Sequence, residues 1–131
     1  MTVYDSSVLI DYLDGVDSAV HYVESHLDEH AVAPQLVLFE LYQGEVFKQG
    51  PADFDALDGA LGWVTFLDGN EQVARAAADL QNELHRRGNP LAARDAFIAG
   101  TAMVRNDRLV VSDSDFDVPG VTEFLDIDIL H

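Results

Sequence analysis

One hundred and thirty-one residues, 48% of them hydrophobic and none of them cysteine, suit a single globular domain over 1–131 and exclude a disulfide scaffold or a thiolate zinc site. Seven Lys and Arg against 24 Asp and Glu leave a formal charge of −17, carried by 17 Asp and 7 Glu over 6 Arg and one Lys. Such a lysine-poor acidic surface predicts a protein of a salt-rich cytoplasm, where a screening length shortened from about 8 Å to about 3 Å relieves self-repulsion. The first basic residue is Lys48, so the start lacks the positive flank of a secretory signal. The longest uncharged apolar stretch, Ala96 to Val104, falls far short of the roughly 20 residues of a membrane span. The expectation is a cytoplasmic protein with no membrane contact.

In chain order, "TVYD" reads as a short buried strand, and a helix follows over "SSVLIDYL" with Asp5 or Ser6 as N-cap. Val16, Val20, Val23 and Leu27 share one helix face. "HAVAP" is a second strand, with Pro34 suited to the first turn of the helix "QLVLFELYQGEVFKQ". A short helix from Pro51 to about Leu61 leads into the third strand, "WVTFL". Val73, Ala77, Leu80 and Leu84 mark an amphipathic helix that Gly88-Asn89-Pro90 ends. A further helix covers Leu91 to about Arg105, followed by the strands "LVVS" and "VTEFLDI". Strands alternating with helices imply parallel pairing through right-handed crossovers, hence a three-layer α/β/α domain with a parallel sheet of four to five strands. Ligands of such sheets collect beyond the carboxyl ends of the strands.

Almost one residue in five is acidic, so the informative acids are those that interrupt apolar surroundings, where a carboxylate is rare unless paired or bound to metal. Asp14, Asp17, Asp28, Asp53, Asp55, Asp58 and Asp79 lie on polar faces or in turns and read as solvated. Asp5 closes the first strand, where it also reads as a helix cap. Glu40 sits inside "LVLFELY", one turn after Leu36 and Val37. Leu91, Asp95, Ile98 and Ala102 fall on one stripe, so Asp95 lies on a face that is otherwise core; its bland explanation is an ion pair with Arg94 or Arg105. Asp113 ends the fourth strand, with Asp115 two residues later. Acids clustered without a cation repel one another, and a hard divalent ion takes oxygen ligands of this kind. A bound ion acidifies water and stabilises phosphoryl charge, so the residues point to metal-dependent phosphodiester chemistry. Arg75, Arg86, Arg87, Arg94, Arg105 and Arg108 fall within 34 positions. Arg94, Arg86 and Arg87 are the candidates for a phosphate-binding rim. His21, His26, His30, His85 and His131 show no ligand spacing and are expected at the surface.

At these residues the chain resembles a PIN domain, most closely the compact VapC-type toxin ribonucleases. "VYDSSVLIDYL" is similar to that family's opening strand, "APQLVLFELYQG" to the segment bearing its second acid, "GNPLAARDAFIAGTA" to its third motif, and "LVVSDSDF" with "VPGV" to its closing motif. Ser112 stands where Thr is commoner, the basic residue often found after it is absent, and the Ser or Thr often seen before the second acid is missing. The resemblance implies a Mg²⁺- or Mn²⁺-dependent endoribonuclease with Asp5, Glu40, Asp95 and Asp113 as catalytic ligands and Asp115 as an accessory one. It further implies that Ser7 orients Asp5, that Ser112 makes supporting or phosphate contacts, and that RNA is cut to 5′-phosphate and 3′-hydroxyl ends. The implied partners are a second copy of the chain and a small antitoxin that blocks the metal site.

Other readings compete. A PIN-like module could bind or process RNA outside any toxin–antitoxin pair. A receiver-type signalling domain also gathers Asp at strand ends, but expects an acidic pair after the first strand and a late Lys; here Asp5-Ser6-Ser7 follows the strand and Lys48 is the only lysine. A dehalogenase-type phosphatase expects Asp where Ser7 stands. In "DSDFD", Val118 and Phe124 replace the Gly and Glu of a calcium loop.

Overall fold

Thr2, Val3 and Tyr4 bury both faces of a three-residue strand, β1 (Thr2–Tyr4), which lies at the centre of the sheet. A strand covered on both sides is apolar throughout rather than alternating. A computed structural model describes residues 1–130 of the chain, and His131, grouped above with the surface histidines, lies outside the described residues. From β1 the chain passes through α1 (Ser6–Leu13) and α2 (Asp17–Ser25) to β2 (Ala31–Pro34), then through α3 (Gln35–Phe47) and α4 (Phe54–Ala60) to β3 (Val64–Leu67). It returns through the antiparallel-looking pair α5 (Glu71–Arg86) and α6 (Ala93–Arg105) to β4 (Arg108–Val111), and β5 (Ile127–Ile129) completes the sheet. All four pairings are parallel, in the order β3-β2-β1-β4-β5.

That order decides where a site can form. The chain builds outward from β1 through β2 to β3 on one side, then crosses back to place β4 on the other. Crossovers leave β1 and β4 in opposite directions, and a crevice opens beyond their carboxyl ends. Val3, Val32, Leu109 and Val110, all fully buried, form the middle layer of the core. Each contributes about 1.5–3 kcal/mol by leaving water. Val8 and Leu9 of α1, Leu80 and Leu84 of α5, and Ile98 of α6 close it from the helices. Gly100 is needed where α6 meets α5. A Cβ there would stand 2.9 Å from the Ala77 nitrogen and 2.9 Å from the Val73 oxygen, and backbone cannot yield as a side chain can. No helix among the described residues is long and apolar enough to cross a membrane.

Most expected elements lie within two or three residues of their places, but two differ. "VTEFLDI" is not a strand along its length: Val121–Glu123 is a 3₁₀ turn and the strand is Ile127–Ile129. Gly120, at φ 90°, turns the chain just before it, and Val121 and Leu125 are buried from the loop, so their apolarity reports core filling rather than sheet pairing. Leu27 does not continue the face of Val16, Val20 and Val23, because α2 ends at Ser25 and Leu27 is 70% exposed.

Candidate acidic metal centre

Asp5 is both a cap and a buried acid. It follows β1 in extended conformation, and its Oδ2 accepts from the Ser7 N–H at 3.1 Å, which starts α1. The Ser7 hydroxyl donates to the same oxygen at 2.5 Å and accepts from the Ser112 N–H at 2.9 Å. One hydroxyl thus ties the end of β1 to the end of β4 and holds the Asp5 carboxylate, which is 1% exposed, in a single orientation. The two readings of Asp5, cap and site, are the same hydrogen bond. Ser112 contributes only its backbone to this relay. Its own Oγ is buried and unpartnered, which is costly unless something else binds it.

Asp95 comes from the first turn of α6 and is buried, while Glu40 reaches in from the middle of α3. Between them lies Arg94. Its Nη2 donates to Glu40 Oε1 at 2.6 Å, to Asp5 Oδ1 at 3.3 Å and to Ser6 Oγ at 3.2 Å. Its Nε lies 2.5 Å from Glu40 Oε2, and its Nη1 pairs with Asp95 Oδ1. The Ser6 hydroxyl in turn donates to Glu40 at 3.3 Å. Arg94 was expected on a phosphate-binding rim; its guanidinium stands inside the acidic cluster. The premise that these acids lack a cation partner is therefore corrected: the chain supplies one. Ser6, read from the sequence only as a possible cap, joins the site by these bonds. The doubled serine after a strand-ending Asp was the available signal.

On the other side of Asp95 lie Asp113 and Asp115, just beyond β4. Among the described residues, Asp95, Asp113 and Asp115 are the set of three acids whose carboxylate oxygens can lie within 4.8 Å of one another. Asp113 also caps the 3₁₀ turn Ser114–Phe116, its Oδ1 accepting from the Asp115 N–H at 2.9 Å. Burial pushes the Asp95 carboxyl up to about 6; Arg94 pulls it down, and the charges of Asp5, Asp113 and Asp115 push it up. Burial works against charge on Arg94, yet the Glu40 hydrogen bond and the charges of Asp5, Glu40 and Asp95 hold its guanidinium firmly protonated. Five carboxylates and one guanidinium give the pocket a formal charge of 1 − 5 = −4. The all-oxygen donor set, the surplus negative charge and the orphaned Ser112 hydroxyl fit a hard divalent cation.

A model of the PIN domain matches residues 2–121. The chain belongs to the PIN domain family. Solved structures of this fold that it resembles include VapBC2 from Rickettsia felis bound to a DNA fragment from its promoter, at 19% identity and a TM-score of 0.83, covering 99% of this chain and 98% of that one. FitAcB from Neisseria gonorrhoeae matches at 20% identity and a TM-score of 0.81, covering 97% and 96%. VapBC-5 from Mycobacterium tuberculosis, a member of the VapBC family of toxin–antitoxin systems, matches at 23% identity and a TM-score of 0.72, covering 99% and 97%. Among curated proteins, no sequence matches the chain.

The remaining candidates lie apart from this pocket's contacts. Arg86 pairs with Glu83 on its own helix, and Arg87 pairs with Glu123 and lies over the Phe124 ring at 5.0 Å. Both are exposed. His21, His30 and His85 are exposed, and His26 stacks on Tyr22. The seven acids read as solvated, from Asp14 to Asp79, are all exposed.

Proposed function

We propose that this PIN domain is a VapC-type toxin, a Mg²⁺- or Mn²⁺-dependent endoribonuclease that acts in the cytoplasm as a homodimer under control of a cognate antitoxin. The observation that carries the reading is the meeting of Asp95, Asp113 and Asp115 beside buried Asp5 and Glu40, at the one crevice the strand order creates. Asp5, Glu40, Asp95 and Asp113 form the catalytic set, with Asp115 as a further ligand. When bound, the ion supplies an acidified water and neutralises charge growing on a phosphoryl oxygen. The protein supplies the rest. The Ser7 relay keeps Asp5 ionised and immobile, and the Ser112 hydroxyl, free of any internal bond, is available to an oxygen of the scissile phosphate. Arg94 adds positive charge where the substrate is anionic, and Arg86 and Arg87 extend it outward. Hydrolysis leaves 5′-phosphate and 3′-hydroxyl ends.

The structural relatives titled as toxin–antitoxin complexes support an antitoxin partner. A protein with a surface charge of −17 binds RNA locally, through these few arginines. The decisive experiment is cleavage of structured RNA by the purified chain with Mg²⁺ against chelator. Cleavage restored by Mg²⁺ supports the reading. Equal cleavage in both, or none in either, overturns it. One observation favours a binding module instead: Arg94 already neutralises part of the acidic set. The absence of cleavage together with tight RNA binding would establish that alternative.

A further inference from the structure

The acidic pocket divides into two halves that share Asp95. In one half, Asp5, Glu40 and Asp95 surround the Arg94 guanidinium, which meets three carboxylates and the Ser6 hydroxyl. In the other half, Asp95 faces Asp113 and Asp115, and among the described residues neither of the latter has a basic partner within ion-pair distance. We infer that Arg94 fills one of two cation positions in this pocket, so that the chain takes a single divalent ion, at Asp95, Asp113 and Asp115. This rests on the metal-dependent reading above and makes it more specific.

The physical grounds are geometry and charge. Arginine presents several donors in a rigid plane and can serve several carboxylates at once, where lysine offers a single point charge. Arg94 uses that plane fully: Nη2 and Nε face the two Glu40 oxygens at 2.6 and 2.5 Å, and Nη1 faces Asp95. A second divalent ion could enter only by expelling it. That would break all of these contacts, and the ion would also have to shed water, which Mg²⁺ does reluctantly. Asp5 deepens the argument, because at 1% exposure its charge needs a partner at all times, and both of its oxygens are already engaged, by Ser7 and by Arg94. The other half is the reverse case. Asp113 and Asp115 keep their surplus charge, and the unpartnered Ser112 hydroxyl lies at the same strand end.

The test is the number of ions bound. Mn²⁺ titrated calorimetrically into the metal-free full chain should bind at one ion per chain. Arg94→Gln should bind two, with the first at least about tenfold tighter, because a unit positive charge a few ångströms away no longer opposes it. Its thermal midpoint in chelator should fall below wild type and recover with Mn²⁺. Two ions bound to the wild type overturn the inference, as does one ion with unchanged affinity in the variant. Should Arg94→Gln fail to fold, the wild type still answers. The Arg94 guanidinium resonances, identified by their loss in Arg94→Lys, should stay protected from solvent exchange at saturating Mg²⁺; their release on Mg²⁺ binding overturns the inference. The two readings fail differently. RNA cleavage with two ions per wild-type chain sinks the inference alone, whereas no Mn²⁺ binding and no cleavage sinks both.

Discussion

The sheet carries an arginine–carboxylate network at each end, and the two differ in balance. Toward the amino-terminal ends of the strands, Arg108 Nη2 reaches both Glu29 oxygens at 2.9 and 2.7 Å, its Nε lies 3.6 Å from Asp128, and the Tyr22 hydroxyl donates to Asp128 at 2.8 Å. Burial and the Asp128 hydrogen bond hold the Tyr22 hydroxyl well above the ordinary phenol range. One cation there meets two anions. Beyond the carboxyl ends, Arg94 meets three, and two more acids stand next to them. The same residue types serve as a structural clasp where charge nearly cancels and as a binding site where it does not. Structural ion pairs tolerate little surplus, because an uncompensated charge out of water destabilises the fold. A surplus of several charges in one crevice is kept only for a ligand.

The comparison can be broken most sharply at Asp95. Asp95→Asn removes a charge at nearly constant volume and should lower Mg²⁺-dependent RNA cleavage by at least about 10²-fold while circular dichroism stays that of the wild type. Undiminished cleavage would remove Asp95 from the site. A second effect separates the ends by pH. In chelator, the Asp95 carboxyl titrates in the folded state at about 6 against an ordinary 3.8. Its contribution to stability is therefore present below about pH 4 and lost as pH rises through 6, on the order of 2 kcal/mol. Denaturation across that window should flatten in Asp95→Asn, and a profile that keeps the wild-type slope would contradict the assignment.

Arg108→Met probes the balanced end. It leaves Glu29 and Asp128 unpaired, but their side chains are 31% and 44% exposed, so solvent screening limits the loss to roughly 1–2 kcal/mol by urea denaturation. Cleavage per folded molecule should not change; a fall of tenfold or more would mean that the two ends are coupled. Salt should act most weakly on any one site and broadly on the whole. With a net charge of −17, the thermal midpoint should rise from near-zero to molar salt, and a flat response would end the expectation of a saline habitat.

The acids of the site were legible because they violate local expectation. Asp95 interrupts an apolar stripe, Glu40 an apolar helix, and Asp5 and Asp113 end buried strands, so each stands where a carboxylate is hard to explain by solvation. The alternation of strands and helices was legible for the same reason: periodicity is a local property. Arg94 was not. Its neighbour Asp95 faces the core, and nothing in the residues themselves says that a side chain one position earlier folds back into the same pocket. The strand after Gly120 was misplaced because Val121 and Leu125 are apolar for packing beneath a loop, which reads the same as pairing in a sheet.

Composition and pattern alone determined the family of fold, the number of acidic candidates and their order, since burial preference and backbone periodicity are written residue by residue. Only the folded chain decided that the strand order β3-β2-β1-β4-β5 brings those acids to one crevice, that Ser7 and Ser6 bind two of them, and that a guanidinium divides them. Electrostatic energy depends on distances between residues as much as 108 positions apart, from Asp5 to Asp113, and those distances exist only once the core has closed.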